Sequence, residues 1–87
     1  MAKKFEGKTA LITGGSHGIG LATAELLASE GCRCVIASRD IDRARNAISR
    51  LHDRNPTIDH RYFTFDALIE ESIEKLISDV QQEPSFD

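Results

Sequence analysis

The sequence predicts an α/β fold, one half of a doubly wound parallel sheet, and three observations carry that prediction. Short apolar runs alternate with longer segments of helical periodicity, in the order βαβαβα. The runs Ala10-Leu11-Ile12 and Cys34-Val35-Ile36-Ala37 are continuous rather than alternating, as in strands covered on both faces. The connections between strands are of helix length, which parallel pairing requires. Right-handed crossovers then give strand order 3-2-1, with the first two helices on one face and the third on the other.

Each element has its own justification. Lys8 to Thr13 reads as the first strand, around Ala10-Leu11-Ile12. Ile19 to Glu30 carries apolar or small residues at 19, 22, 23, 26 and 27, a helical stripe, and Gly31 stands where a left-handed glycine would end it. Arg33 to Ser38 is the second strand. Asp40 is placed to cap the next helix, which carries Ile41, Ala44, Ile48 and Leu51 at helical spacing and ends before Asn55-Pro56. His60 to Phe65, rich in aromatic and β-branched residues, is the third strand. Ile69 to Gln82 is the last helix, with Ile69, Ile73, Leu76, Ile77 and Val80 on one side, and Pro84-Ser85 marks a loop.

Between the first strand and first helix lies Thr13-Gly14-Gly15-Ser16-His17-Gly18-Ile19-Gly20. A diphosphate can rest on backbone N–H groups only where no Cβ intervenes, and glycine removes the Cβ while permitting φ > 0. Gly14 would turn sharply off the strand, Gly18 admit the pyrophosphate, and Gly20 let the helix lie close to the sheet, as in Rossmann-type dinucleotide folds. The alternative is a glycine-rich turn with no ligand. The spacing G-x-x-x-G-x-G differs from the commoner G-x-G-x-x-G, and together with the preceding Gly7-Lys8-Thr9-Ala10-Leu11-Ile12 it resembles the opening of the short-chain dehydrogenase/reductase family. The look is nearest to reductases of 3-oxoacyl thioesters, while related polyol and steroid enzymes share it. The resemblance covers nearly the whole chain but only the cofactor-binding front of a family member, so 1–87 is expected to be a partial dinucleotide-binding domain that stops before the fourth strand.

The residues expected to hold the cofactor are Gly14, Ser16, His17, Gly18, Ile19, Gly20, Ser38, Arg39, Asp66 and Ala67. In NAD-preferring folds an acidic residue at the end of the second strand binds the adenosine ribose, and here Ser38 and Arg39 stand in that place. A guanidinium donates two hydrogen bonds to a 2′-phosphate that a carboxylate would repel, which points to NADP(H). Alternatively, Arg39 is a solvated residue ahead of the helix and Asp40 reaches the ribose. The resemblance implies that His17 occupies a position where many NADPH users carry Arg or Lys, and that Asp66, with Ala67 beside it, bonds the adenine amino group. The competing roles are a bystander for His17 and a helix cap for Asp66. His52 and His60 read as ordinary surface residues.

The family's Asn-Asn-Ala-Gly motif, catalytic Ser and Tyr-x-x-x-Lys pair are not in these residues. Tyr62 is the only tyrosine, and Asp66 stands four positions after it, so no catalytic residue is assigned. Two functions follow. In one, the chain is the NADP(H)-binding N-terminal part of a short-chain reductase, whose parent the resemblance makes a homo-oligomer. In the other it is a stand-alone nucleotide-binding or chain-association module without catalysis. A methyltransferase-like fold is disfavoured by Arg39 in the acidic position.

With 87 residues the chain is one small domain at most, burying only about 60–65% of its unfolded surface. A net charge of −3 gives no basic field for nucleic acid, and no run approaches the ~20 apolar residues of a membrane span. The start Met1-Ala2-Lys3-Lys4-Phe5-Glu6 lacks the apolar core of a secretion signal, which favours an intracellular, cytoplasmic location with an organelle left open. Cys32 and Cys34 share one strand face, poorly placed for a mutual disulfide, and are expected reduced and buried, with no metal site.

Overall fold

The computed structural model describes residues 4–14 and 16–82. Gly15, the first three residues and the Pro84-Ser85 loop assignment lie outside the described residues. The elements are β1 (Thr9–Thr13), α1 (Gly18–Ser29), β2 (Arg33–Ser38), α2 (Ile41–Arg54), β3 (Arg61–Thr64) and α3 (Glu70–Gln81). The sheet is parallel throughout, in the order β1-β2-β3, with Thr9 opposite Arg33 and Val35 opposite Arg61. The predicted topology is therefore the observed one, and element ends move by about one residue.

The core forms on the side of the sheet that carries α1 and α2. Cys34 and Ile36 of β2 meet Ala24 and Ala28 of α1 and Leu51 of α2, with Ala10, Ile12 and Tyr62 packed around them. Alternation turns Val35 and Ala37 to the opposite face, where they are also fully buried. There Asp79 of α3 and its C-cap residue Gln82 stand beside Arg61 and Phe63, which alternate with Tyr62 along β3. The third helix thus lies across the sheet from the first two.

The buried face of α1 is not the predicted stripe. Leu21, Ala24, Glu25 and Ala28 are buried, whereas Ile19 is 87% and Leu26 66% exposed. This helix is apolar nearly all round, so periodicity cannot select its inner side. Tertiary packing selects it: Ala24 and Ala28 are fully buried against Cys34 and Ile36 of β2 and Leu51 of α2. Glu25 sits beside them as an acceptor for Arg50 and, at 3.3 Å, for Arg54 of α2. On α2 the expected Ile41 is likewise exposed and Ala47 takes its place in the core.

The C-terminal end of α1 and the start of α2 follow their local chemistry. The Gly31 N–H donates to Ala28 O and the Cys32 N–H to Leu27 O, a Schellman closure with Gly31 at φ 90°. Gly31→Ala should therefore cost about 1–2 kcal/mol through the left-handed backbone alone, read as a lower urea midpoint with an unchanged slope. Asp40 caps α2 as expected, its Oδ1 accepting from the N–H groups of Asp42 and Arg43 at 3.0 and 3.1 Å.

Both cysteines are free and buried, and burial pushes the Cys34 thiol up to about 12, so it stays protonated and inert. His60 overturns its surface assignment. It is 3% exposed, and its Nδ1 accepts the Cys34 N–H at 3.0 Å just ahead of β3. A β-ladder donor has been satisfied by a side chain, an arrangement that spacing does not reveal.

Among the described residues β1 pairs on one side only, with β2. Leu11 on that strand is 38% exposed, and Ile69 and Ile77 of α3 remain half uncovered. An open edge without proline or inward charge, beside exposed apolar side chains, is a surface made to be covered.

Candidate cofactor site

The carboxyl ends of the parallel strands deliver the candidate residues to one rim. The Gly14 N–H donates to Ala37 O at 2.9 Å, carrying the β1–β2 ladder one step into the glycine turn. The Phe65 N–H donates to Ser38 O at 3.0 Å, doing the same between β2 and the end of β3. The turn and the two strand ends are thereby held by the sheet rather than by their own loops.

Gly14 has φ 69° and Gly18 φ 58°, and a Cβ built on either would meet no atom within 4 Å. The positive φ is what calls for glycine at both positions, and the space beside each is open. Ser16 closes the floor. It is buried, and its Oγ lies 2.8 Å from Ser38 Oγ, so a hydroxyl pair bolts the glycine turn to the end of β2. Ser38 Oγ in turn accepts from the Asp40 N–H at 3.2 Å, and Ser16 Oγ lies 3.4 Å from His17 Nδ1.

A cleft of ≈ 660 Å³ opens above this floor. Gly14, Ser16, His17, Ser38 and Arg39 line it, as do Asp40, Ile41 and Arg43. Sequence reasoning left Arg43 out because it lies inside a helix, where its proximity to Arg39 depends on how the strand turns into α2. Its Nε stands 3.7 Å from Asp40 Oδ2, so the one carboxylate of the cleft has a cationic neighbour. Gly18, Ile19 and Gly20 follow on the first turn of α1, outside this lining. Asp66 and Ala67 also lie outside it, one strand further along the rim.

Asp66 is committed locally. Its Oδ1 accepts the Leu68 N–H at 2.9 Å and its own N–H donates to Ser72 Oγ at 2.7 Å, while Ile69 is the N-cap residue of α3. It therefore shapes the turn ahead of the helix without capping it directly. Among the described residues no group of three or more metal-ligating side chains occurs, and no helix is long and apolar enough to cross a membrane.

One rim thus carries open glycine positions ahead of α1 and hydroxyls with guanidinium groups after β2. A model of the short chain dehydrogenase family matches residues 8–85. The chain belongs to that family, an oxidoreductase family built on the Rossmann-type fold. Its particular relatives include the WW domain-containing oxidoreductase of Drosophila melanogaster, 34% identical over 85 residues, covering 95% of this chain and 21% of that protein. A short chain dehydrogenase/reductase of Gibberella zeae is 46% identical over 55 residues, 63% of this chain and 16% of that one. Among solved structures, L-sorbose reductase from Gluconobacter frateurii, complexed with NADPH and L-sorbose, superposes with a TM-score of 0.84 at 32% identity, over 98% of this chain and 32% of that one. NAD+-bound xylitol dehydrogenase gives 0.82 at 31% identity, over 90% and 29%. The chain thus spans about a third or less of the proteins it matches.

Proposed function

We propose that this chain is the NADP(H)-binding part of a short-chain reductase that passes hydride between NADPH and a carbonyl or hydroxyl substrate. The carrying observation is the pair Ser38-Arg39 at the end of β2, opening into the cleft where an NAD-selective fold would present an acid. Two relatives support the reading, since L-sorbose reductase and a Pseudomonas aeruginosa short-chain oxidoreductase are both described with NADPH bound. Gly14 and Gly18 would admit the diphosphate, Ser16 and Ser38 would set the ribose end, and Arg39 would take the 2′-phosphate. Ile19, Gly20, Asp66 and Ala67 are assigned to the same cofactor. When bound, the nicotinamide supplies the hydride; the proton donor and substrate pocket come from further sequence of the parent enzyme, expected to be a homo-oligomer.

Arg39→Ala should weaken NADPH about 10- to 100-fold and leave NADH nearly untouched, because a charge-assisted bond to phosphate contributes ~1.5–3 kcal/mol. Both cofactors are titrated by fluorescence at one ionic strength, since phosphate contacts are partly screened by salt. Equal losses for both would assign Arg39 to loop structure and withdraw NADP. A second reading, a non-catalytic nucleotide-binding or chain-association module, is favoured by the open edge of β1. NADPH binding with concentration-dependent association and no hydride transfer would select it.

A further inference from the structure

Two surfaces that the described residues leave open meet at one edge of the molecule. Lys8 O accepts the Arg33 N–H and the Gly14 N–H donates to Ala37 O, so residues 8, 10, 12 and 14 direct their backbone groups to β2. Alternation turns the N–H and C=O of Thr9, Leu11 and Thr13 to the open edge. Above that edge lies one flank of α1, because α1 rests over β1 and β2 while α2 rests over β2 and β3. Glu25, bonded to Arg50 and Arg54, marks the flank of α1 that faces α2. Thr23 and Leu27 stand two positions to either side of Glu25, about 200° round the helix, on the flank over β1. Thr23 is exposed, Leu27 is half-buried, and the neighbouring Leu26 is exposed. On the other face of the sheet Leu11, which alternates with Ala10 and Ile12 of the core side, is partly uncovered.

We propose that a second copy of this chain occupies the edge, β1 pairing antiparallel with its counterpart about a two-fold axis normal to the sheet at Leu11, and α1 packing on α1. The inference is independent of what the cleft binds.

A two-fold contact requires the surface to be complementary to itself. β1 reads Thr9-Ala10-Leu11-Ile12-Thr13, with threonine at both ends and apolar residues between. Antiparallel pairing centred on Leu11 sets Thr9 against Thr13 and Ala10 against Ile12. The residues directed outward are then the ones that exchange both hydrogen bonds with their opposites. Threonine opposite threonine is a favourable cross-strand pair. Lys8, the charged residue beside the strand, falls opposite Gly14 rather than its own copy. No charge of the strand or of the helix flank therefore meets a like charge, although each molecule carries −3. An axis normal to the sheet keeps each face on its own side, so the two α1 helices meet on one face and the two Leu11 side chains on the other. The opposite edge of the sheet lacks these properties. β3 begins with exposed Arg61, and Arg45 of α2 lies against its Tyr62, so cations guard that edge.

Sedimentation equilibrium of the 87-residue chain between about 1 and 300 μM should show the 9.6 kDa mass doubling, with a micromolar Kd suited to one strand and one helix flank. Amide exchange followed by NMR locates the contact. The N–H groups of Thr9, Leu11 and Thr13 gain protection as concentration rises, while those of Ala10 and Ile12, bonded to β2, are protected throughout. Thr23→Lys and Thr23→Glu alter an exposed helix position and put like charges across the axis, so each weakens dimerisation at least about tenfold. Mixing the two variants restores association, because opposite charges then face each other, and that recovery shows that neither variant failed by unfolding. A monomer throughout the range overturns the inference and leaves the edge to further sequence of the parent enzyme. A dimer whose Thr9, Leu11 and Thr13 amides exchange freely, or a mixture that associates no better than either variant alone, places the contact elsewhere and overturns it too. None of these readouts involves a nucleotide, so the NADP(H) reading stands or falls separately.

Discussion

Leu51→Ala should destabilise the protein by about 2–5 kcal/mol, the range for emptying a fully buried leucine site. Leu51 has no exposed surface and sits where α2 meets Ala24 and Ala28 of α1 and Ile36 of β2. Most of these neighbours are as small as the residue introduced. Side chains that short cannot reach into the vacated volume, so much of it stays as a cavity. A domain of this size has a total stability of only about 5–15 kcal/mol, so the loss is a large share of it. Ile41→Ala on the same helix removes a side chain that is 43% exposed and should cost much less. Urea unfolding of the two variants checks the prediction; equal costs would mean that Leu51 is not the residue that joins the helices to the sheet.

Acid should loosen the same core from its other end. Burial, followed by the nearby His52 and Arg33, holds the His60 imidazole down to about 4 from its ordinary 6.5. Its Nδ1 must stay unprotonated to accept the Cys34 N–H. The folded value lies below the unfolded one, so stability is complete above pH ~6.5. It falls as the unfolded chain takes up a proton that the folded chain refuses, and the loss saturates near pH 4. The gap corresponds to at most about 3 kcal/mol. His60→Asn keeps an acceptor for the Cys34 N–H without a proton to gain. Its urea midpoint should therefore fall less between pH 7.5 and 4.5 than that of the unaltered protein. Parallel decline in both would assign the acid sensitivity to carboxylates instead.

The fold was legible because its signals are local and redundant. Continuous apolar runs mark strands buried on both faces, Asp40 and Gly31 mark helix ends, and crossover length dictates parallel pairing. What failed was the choice of face. Periodicity groups Ile19 and Leu26 with the core of α1 because apolar residues surround that helix, and only packing against Leu51 and β2 decides which side is buried. His60 was misplaced for a related reason: a histidine that completes a strand's hydrogen bonding carries no periodicity of its own. At the candidate site the glycines and the Ser38-Arg39 pair were readable from spacing along one strand–turn–helix unit. Arg43 and the Ser16–Ser38 contact were not, because they depend on where α2 starts relative to the glycine turn, a distance set by the sheet.

The parallel pairing of β1, β2 and β3 also bears on how quickly the native state is reached. Thr9 meets Arg33 and Val35 meets Arg61, so every rung of the ladder closes a loop of roughly 25 residues, and among the described residues no hairpin is present to zip first. Strand pairing is therefore rewarded only after an intervening helix has collapsed onto it. The slow step is expected to be the meeting of α1 and α2 over β2, with β1 and β3 added to either side of a central strand that is already covered.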